Sequence, residues 1–179
     1  MTTLFLDDNQ LTSLILPAGL TNLTSLYLYN NQLSDFSFPN GLTRLATLNL
    51  YNNQLRSLTL PPELLSLNTL VLDANPLQSV ILPKALADGA LANTVTSMRN
   101  RGVIVSTYSL TVSLAARPQN INGTFECVLN GPPGTYRIQV TPDFSAWTDI
   151  GPVINTYGSV PVTDTSASSR AQSFYRAVR

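Results

Sequence analysis

The sequence contains no histidine. That absence removes the usual general base near neutral pH, the usual activator of serine and cysteine nucleophiles, and the commonest metal ligand. No Ser/His/Asp or Cys/His set can be built, so the chain is read as non-enzymatic. A single cysteine, Cys127, excludes an internal disulfide, and its simplest role is a small core residue on a strand. Charge is scarce: 11% of 179 residues, ten acidic against ten basic. Such a balance offers nothing to nucleic acid or to an anionic membrane surface. No apolar run approaches the roughly 18 residues of a helical span, so no membrane insertion is expected. No signal peptide precedes the first structured segment, which leaves a cytoplasmic location open. No cofactor is implied.

With so few charges, Ser, Thr, Asn and Gln must cover the surface, which suits a β-rich chain with many turns. The charge is also uneven. Residues 1–95 carry three bases and six acids, whereas residues 96–179 carry seven bases and four acids. The two halves read as different modules.

The first half repeats itself. Leu4-Phe5-Leu6, Leu26-Tyr27-Leu28, Leu48-Asn49-Leu50 and Leu70-Val71-Leu72 recur at steps of 22 residues, each followed by an asparagine: Asn9, Asn31, Asn53, Asn75. A second piece recurs with them: Leu14-Ile15-Leu16-Pro17, Phe36-Ser37-Phe38-Pro39, Leu58-Thr59-Leu60-Pro61 and Val80-Ile81-Leu82-Pro83. LxL at period two predicts a short strand with both leucines on one face. The asparagine falls where the chain must turn; buried, its side chain would satisfy backbone groups of neighbouring turns, and the four would stack as a ladder. LxLP predicts a second extended piece, ended by a residue that cannot donate. One unit cannot bury its own leucines, so the units must stack.

This pattern resembles the leucine-rich-repeat family, particularly the 22-residue bacterial kind of internalin-like surface proteins. The likeness is close at Gly41-Leu42-Thr43, at Thr21-Asn22-Leu23-Thr24-Ser25-Leu26 and at Asn30-Asn31-Gln32-Leu33, and it departs at LxLP. It covers roughly residues 1–107 and implies a solenoid. After Pro83 the pattern dissolves, and Leu86, Leu91, Val95 and Met98 at helical spacing predict a capping helix over 84–101, stopped at Gly102, with a final strand over 103–107. Met1 falls in the register of Leu23, Leu45 and Leu67, with no cap before it. The expectation is a piece of a longer array, a missed upstream start, or an edge covered by a partner or a second copy.

From Tyr108 onward short alternating runs are separated by turn signals about every ten residues, which predicts an antiparallel β-sandwich over 108–179. Trp147 is the expected core anchor, with Phe125, Tyr136 and Phe174 around it. Separate strands are expected at 147–150 and 153–157. This half resembles a small C-terminal β-module of secreted multidomain bacterial proteins, on Leu129-Asn130-Gly131-Pro132-Pro133-Gly134-Thr135-Tyr136, Asp143-Phe144, Trp147, Asp164 and Phe174-Tyr175-Arg176. An immunoglobulin-like module beside a repeat array is also what internalin-type proteins show. The expected fold is mainly β: a leucine-rich-repeat solenoid with a C-terminal capping helix, followed by an immunoglobulin-like antiparallel β-sandwich. The resemblances imply an extracellular or cell-surface location.

In such solenoids the residues between the leucines face outward on the concave side. The outward columns are Thr3, Ser25, Thr47, Thr69; then Phe5, Tyr27, Asn49, Val71; then Asp7, Tyr29, Tyr51, Asp73. Asp8, Asn30, Asn52 and Ala74 flank them. Phe5, Tyr27, Tyr29 and Tyr51 form an aromatic group that the core does not require, amid polar neighbours typical of recognition surfaces. Tyrosine also simply suits exposed strand positions. A protein or carbohydrate ligand fits this surface. Asp7, Asp8 and Asp73 lack the spacing of a calcium loop, and no metal site is read. Asn22-Leu23-Thr24 and Asn122-Gly123-Thr124 match the glycosylation acceptor, the first as part of the repeat itself. Arg99, Arg101 and Arg117 read as solvated. Asp7 and Asp73, three repeats apart, are too distant to act as a glycosidase carboxylate pair. Two functions remain: a binding or adhesion module using the concave face, and a structural spacer that self-associates through the uncapped N-terminal edge.

Overall fold

The computed structural model describes residues 1–117 and 124–179, so Asn122 and Gly123 of the second acceptor motif lie outside the described residues. The described residues fall into two compact units, Met1–Thr107 and Tyr108–Arg179.

In the first unit each LxL segment is a three-residue strand: β1 (Thr3–Phe5), β2 (Ser25–Tyr27), β3 (Thr47–Asn49) and, after β4, β5 (Thr69–Val71). These four form one parallel sheet, β1-β2-β3-β5, in which Leu4, Leu26, Leu48 and Leu70 stand in register. The 22-residue step is thus one turn of chain per strand. Period-two geometry sends the leucines inward, and Leu26, Leu28, Leu48 and Leu50 are fully buried. They join one continuous core running from Leu16 to Val103. Burying each leucine contributes about 2 kcal/mol.

The second piece of each repeat was expected to be extended in all four turns. Only two form strands: β4 (Ser57–Thr59) pairs in parallel with β6 (Ser79–Pro83), and β7 (Ile104–Tyr108) completes that sheet. In the first two turns the equivalent segments are unpaired. Cavities of about 410 and 380 Å³ separate residues 13–16 from 35–39, and 35–38 from 57–61. Ile15 is 94% exposed, at the outward position that Thr59 also holds in β4. In the last turn Val80, Ile81 and Leu82 are buried instead, because β6 is held between two strands.

The single helix expected over 84–101 is two: α1 (Lys84–Asp88) and α2 (Ala92–Asn100). Gly89 breaks it, and the Leu91 N–H folds back onto the Leu86 carbonyl at 2.9 Å. Leu86, Leu91, Val95 and Met98 are nevertheless all buried, as their spacing requires. Gly102 ends α2 in the left-handed region (φ +82°), where a side chain would be strained.

The second unit contains β8 (Ser113–Ala116), β9 (Phe125–Asn130), β10 (Gly134–Thr141), β11 (Thr148–Asn155), β12 (Ser159–Asp164), a 3₁₀ turn (Ala167–Ser169) and β13 (Phe174–Val178). They make two three-stranded antiparallel sheets, β12-β9-β8 and β11-β10-β13. Both sheets contribute to one core of Cys127, Leu129, Tyr136, Ile138 and Val162. Trp147 is not its anchor: it is half-buried, and Phe174 is 38% exposed. Tyr136 takes that place, fully buried with its hydroxyl donating to the Pro132 carbonyl at 2.7 Å. The two strands expected at 147–150 and 153–157 are the single β11. Pro152 does not interrupt it, because β11 lies at a sheet edge.

Candidate functional site

The outward columns are fixed by the strand register. Phe5, Tyr27, Asn49 and Val71 are Cα partners along one row, and Thr3, Ser25, Thr47 and Thr69 along another. The ladder continues past the strands: the N–H groups of Leu6, Leu28 and Leu50 donate to the carbonyls of Tyr27, Asn49 and Val71 at 2.8–2.9 Å. The N–H groups of Asp8, Asn30 and Asn52 donate to Tyr29, Tyr51 and Asp73 at 3.0 Å. Asp7, Tyr29, Tyr51 and Asp73 therefore form the third row, as their spacing requires.

Within these rows the side chains interact along the stacking direction. Phe5 and Tyr27 stack at 4.9 Å with ring planes 7° apart, and Phe5 is 67% exposed. Tyr29 hydrogen-bonds the Asp7 carboxylate, which, with some desolvation and the charges of Asp7 and Asp8, holds its phenol above the usual range. Asp7 Oδ1 is enclosed without a hydrogen-bond partner. Asn49 Oδ1 accepts the Tyr51 N–H at 3.0 Å, and Tyr51 is exposed. Val71 is half-buried. At the far end Asp73 pairs with Arg101 at 2.7 Å. Arg101 is therefore not merely solvated, and neither is Arg117, which lies 3.5 Å from Glu126.

Two asparagine ladders support the face. Asn31, Asn53 and Asn75 each accept, through Oδ1, the N–H of a leucine in the preceding turn (Leu11, Leu33, Leu55) at 3.0 Å. Their Nδ2 groups donate back to Leu6, Leu28 and Leu50 at 2.8–2.9 Å. Asn9 differs: it is exposed and donates only within its own turn, to Leu6 and Asp7. The second ladder escaped sequence reading. Asp8, Asn30, Asn52 and Ala74 all adopt φ of 53–55°, a left-handed conformation that Asn and Asp tolerate best. Asn30 donates to Asp8 at 2.7 Å and Asn52 to Asn30 at 3.0 Å; Ala74 ends the row. The recurring Asp/Asn before the buried asparagine was its only signal. Asn22 is exposed and accepts from Arg44 at 3.2 Å, an inter-turn contact.

The face brings together aromatic rings, amides and carboxylates on a rigid sheet, suited to holding a partner rather than to moving protons. Among the described residues no cluster of three or more Cys, Asp or Glu groups could hold a metal, and no helix is long and apolar enough to cross a membrane.

Residues 1–42 match the family model described as Leucine Rich repeats (2 copies), and residues 44–67 match the Leucine Rich Repeat model. Both are repeat models, and no catalytic family matches. No curated protein and no solved structure matches the chain.

Proposed function

Since residues 1–42 and 44–67 are leucine-rich repeats, whose general role is protein binding, we propose that the chain is a non-catalytic binding module that takes a protein ligand on the face of Phe5, Tyr27, Tyr29, Asn49, Tyr51 and Val71, with Asp7 and Asp73 at its margins. The observation that carries this reading is two adjacent rows with partly exposed aromatics, Phe5 and Tyr27 in one and Tyr29 and Tyr51 in the next, beside a sheet whose leucines are turned the other way. Aromatic anchors amid polar groups are the composition of hot spots. The Phe5–Tyr27 stack covers one face of each ring and holds the pair in a fixed orientation towards a partner. The wider frame is a solenoid over 1–107, capped by α1 and α2, followed by an immunoglobulin-like sandwich over 108–179, working outside the cell or at its surface.

A display library of peptides and small domains panned against the full chain tests this. Binders recovered on the wild type should be lost with Tyr29→Ala and Tyr51→Ala at unchanged thermal stability. Binders indifferent to both changes would sink the reading.

One observation favours a second reading, a spacer that self-associates through the edge of β1. Leu4, Leu6 and Leu11 are only half-buried where their counterparts Leu26, Leu28 and Leu33 are fully buried, and Met1 is 66% exposed. Sedimentation across a wide concentration range decides it: a chain monomeric throughout counts against it.

A further inference from the structure

The second unit holds a cavity of about 390 Å³ between the ends of its two sheets, walled by Val140 and Ile150 on one side and by Thr163 and Asp164 on the other. That volume is in the range of small-molecule sites, about 300–1,000 Å³. Its charges are already spent. Asp164 is 4% exposed; its Oδ1 accepts the Ser166 N–H at 2.9 Å, and its Oδ2 accepts from Arg170 and from the Tyr175 hydroxyl. Asp149 accepts from Arg137 and, at 2.7 Å, from Gln139. An ion would find no unpaired countercharge here. What is left over is neutral hydrogen-bonding capacity. Among the described residues, Thr148, Thr163, Thr165 and Ser166 line the cavity, and their hydroxyls make no bond to another protein group.

The loop over 142–147 adds a second, independent feature. Pro142 walls the cavity, and two residues on Phe144 stands 61% exposed in the left-handed region (φ 65°). Its N–H is held there by the Thr141 hydroxyl at 3.0 Å. Phe144 packs on Phe174 at 4.2 Å and edge-on to Trp147 at 6.1 Å, while Arg176 covers Trp147 at 4.1 Å. An aromatic ring is thus turned out to water at a conformational cost, on the loop that leaves the cavity at Pro142.

We propose that this cavity is a binding site for one ring of a neutral carbohydrate, with Phe144 carrying the next ring of the same chain. A pyranose pairs a rim of hydroxyls with a face of C–H bonds. The four hydroxyl-bearing residues of the cavity suit the first, and Ile150 in the cavity with Phe144 on the neighbouring loop suit the second. The site belongs to the second unit and is independent of the face assigned to the repeats.

The test is an NMR titration of the full isotope-labelled chain with glucose, galactose, mannose and N-acetylglucosamine, and with glucuronate as the charged control. At least one neutral sugar should shift the amides of Thr148, Thr163, Thr165 and Ser166 and the Trp147 indole, with Kd on the order of 1 mM. Glucuronate should bind more weakly than its neutral counterpart. Ser166→Ala keeps the backbone N–H that anchors Asp164, and Thr163→Val keeps the strand, so both variants fold; each should weaken binding by roughly tenfold. No shift with any neutral sugar overturns the proposal, as does tighter binding of glucuronate or binding indifferent to both variants.

Discussion

Asn53 donates to the carbonyl of Leu28, 25 residues earlier in the chain, across 2.9 Å of a fully buried turn. The same side chain accepts the Leu33 N–H at 3.0 Å, so one amide closes two backbone groups that no strand partner reaches. Replacing Asn53 by Leu keeps the number of side-chain heavy atoms and orphans the Leu33 N–H, while the Leu28 carbonyl still accepts from Asn31 at 3.1 Å. We expect a loss on the order of 2 kcal/mol, since one buried unpaired group costs about 1–3 kcal/mol. Asn9→Ala should cost less than about 1 kcal/mol, because Asn9 is exposed and bonds only within its own turn. Urea denaturation of both variants checks the contrast; equal losses would refute the ladder.

Ala74 is the one alanine in a row otherwise filled by Asp8, Asn30 and Asn52, all left-handed. Alanine resists that conformation by roughly 1–2 kcal/mol. Ala74→Asn should therefore stabilise the chain by about 1 kcal/mol, and its amide would extend the row from Asn52. A rise in melting temperature, matched in part by Ala74→Gly, is the expected reading.

The raised phenol of Tyr29 comes first from its bond to Asp7. Asp7→Asn removes the charge that penalises tyrosinate, so Tyr29 should ionise at lower pH in the variant. Ultraviolet titration at 295 nm reads this directly. In the wild type the sign is that of a raised group: the contribution of the contact is complete below the ordinary tyrosine value of 10.0 and fades as pH climbs through the higher folded value.

In the second unit two carboxyls are held below the ordinary 3.8: Asp143 first by the Ser145 hydroxyl, Asp149 first by Gln139. Groups lowered in this way contribute stability above the ordinary value and lose it as pH falls through their folded values. Stability should thus decline below about pH 4. Gln139→Leu should shrink the decline, which denaturation curves from pH 6 to pH 2 will show.

The strand register of the repeats was legible in the sequence because period two and period 22 both act on leucine, the residue with the most to lose by facing water. The outward rows followed from that without further information. Three things did not follow. Gly89 breaks the helix over 84–101, although the buried positions Leu86, Leu91, Val95 and Met98 read as one continuous pattern. Trp147 has the type of a core residue; in the fold it lies under Arg176 while Tyr136 fills the core, its hydroxyl donating to the Pro132 carbonyl. The Arg101–Asp73 pair joins residues 28 apart through a helix, a relation that no local spacing announces.

The inter-turn side-chain bonds of the repeat array close loops of nearly one length, 20 to 25 residues. Each such bond therefore closes a loop of similar entropic cost, and none waits on a distant partner. Folding of such an array spreads like a zipper from whichever turn forms first. The third and fourth turns, tied on both sides by sheets, are the natural starting point. The first turn, joined through one sheet and with Leu4, Leu6 and Leu11 half-buried, is expected to close last and open first.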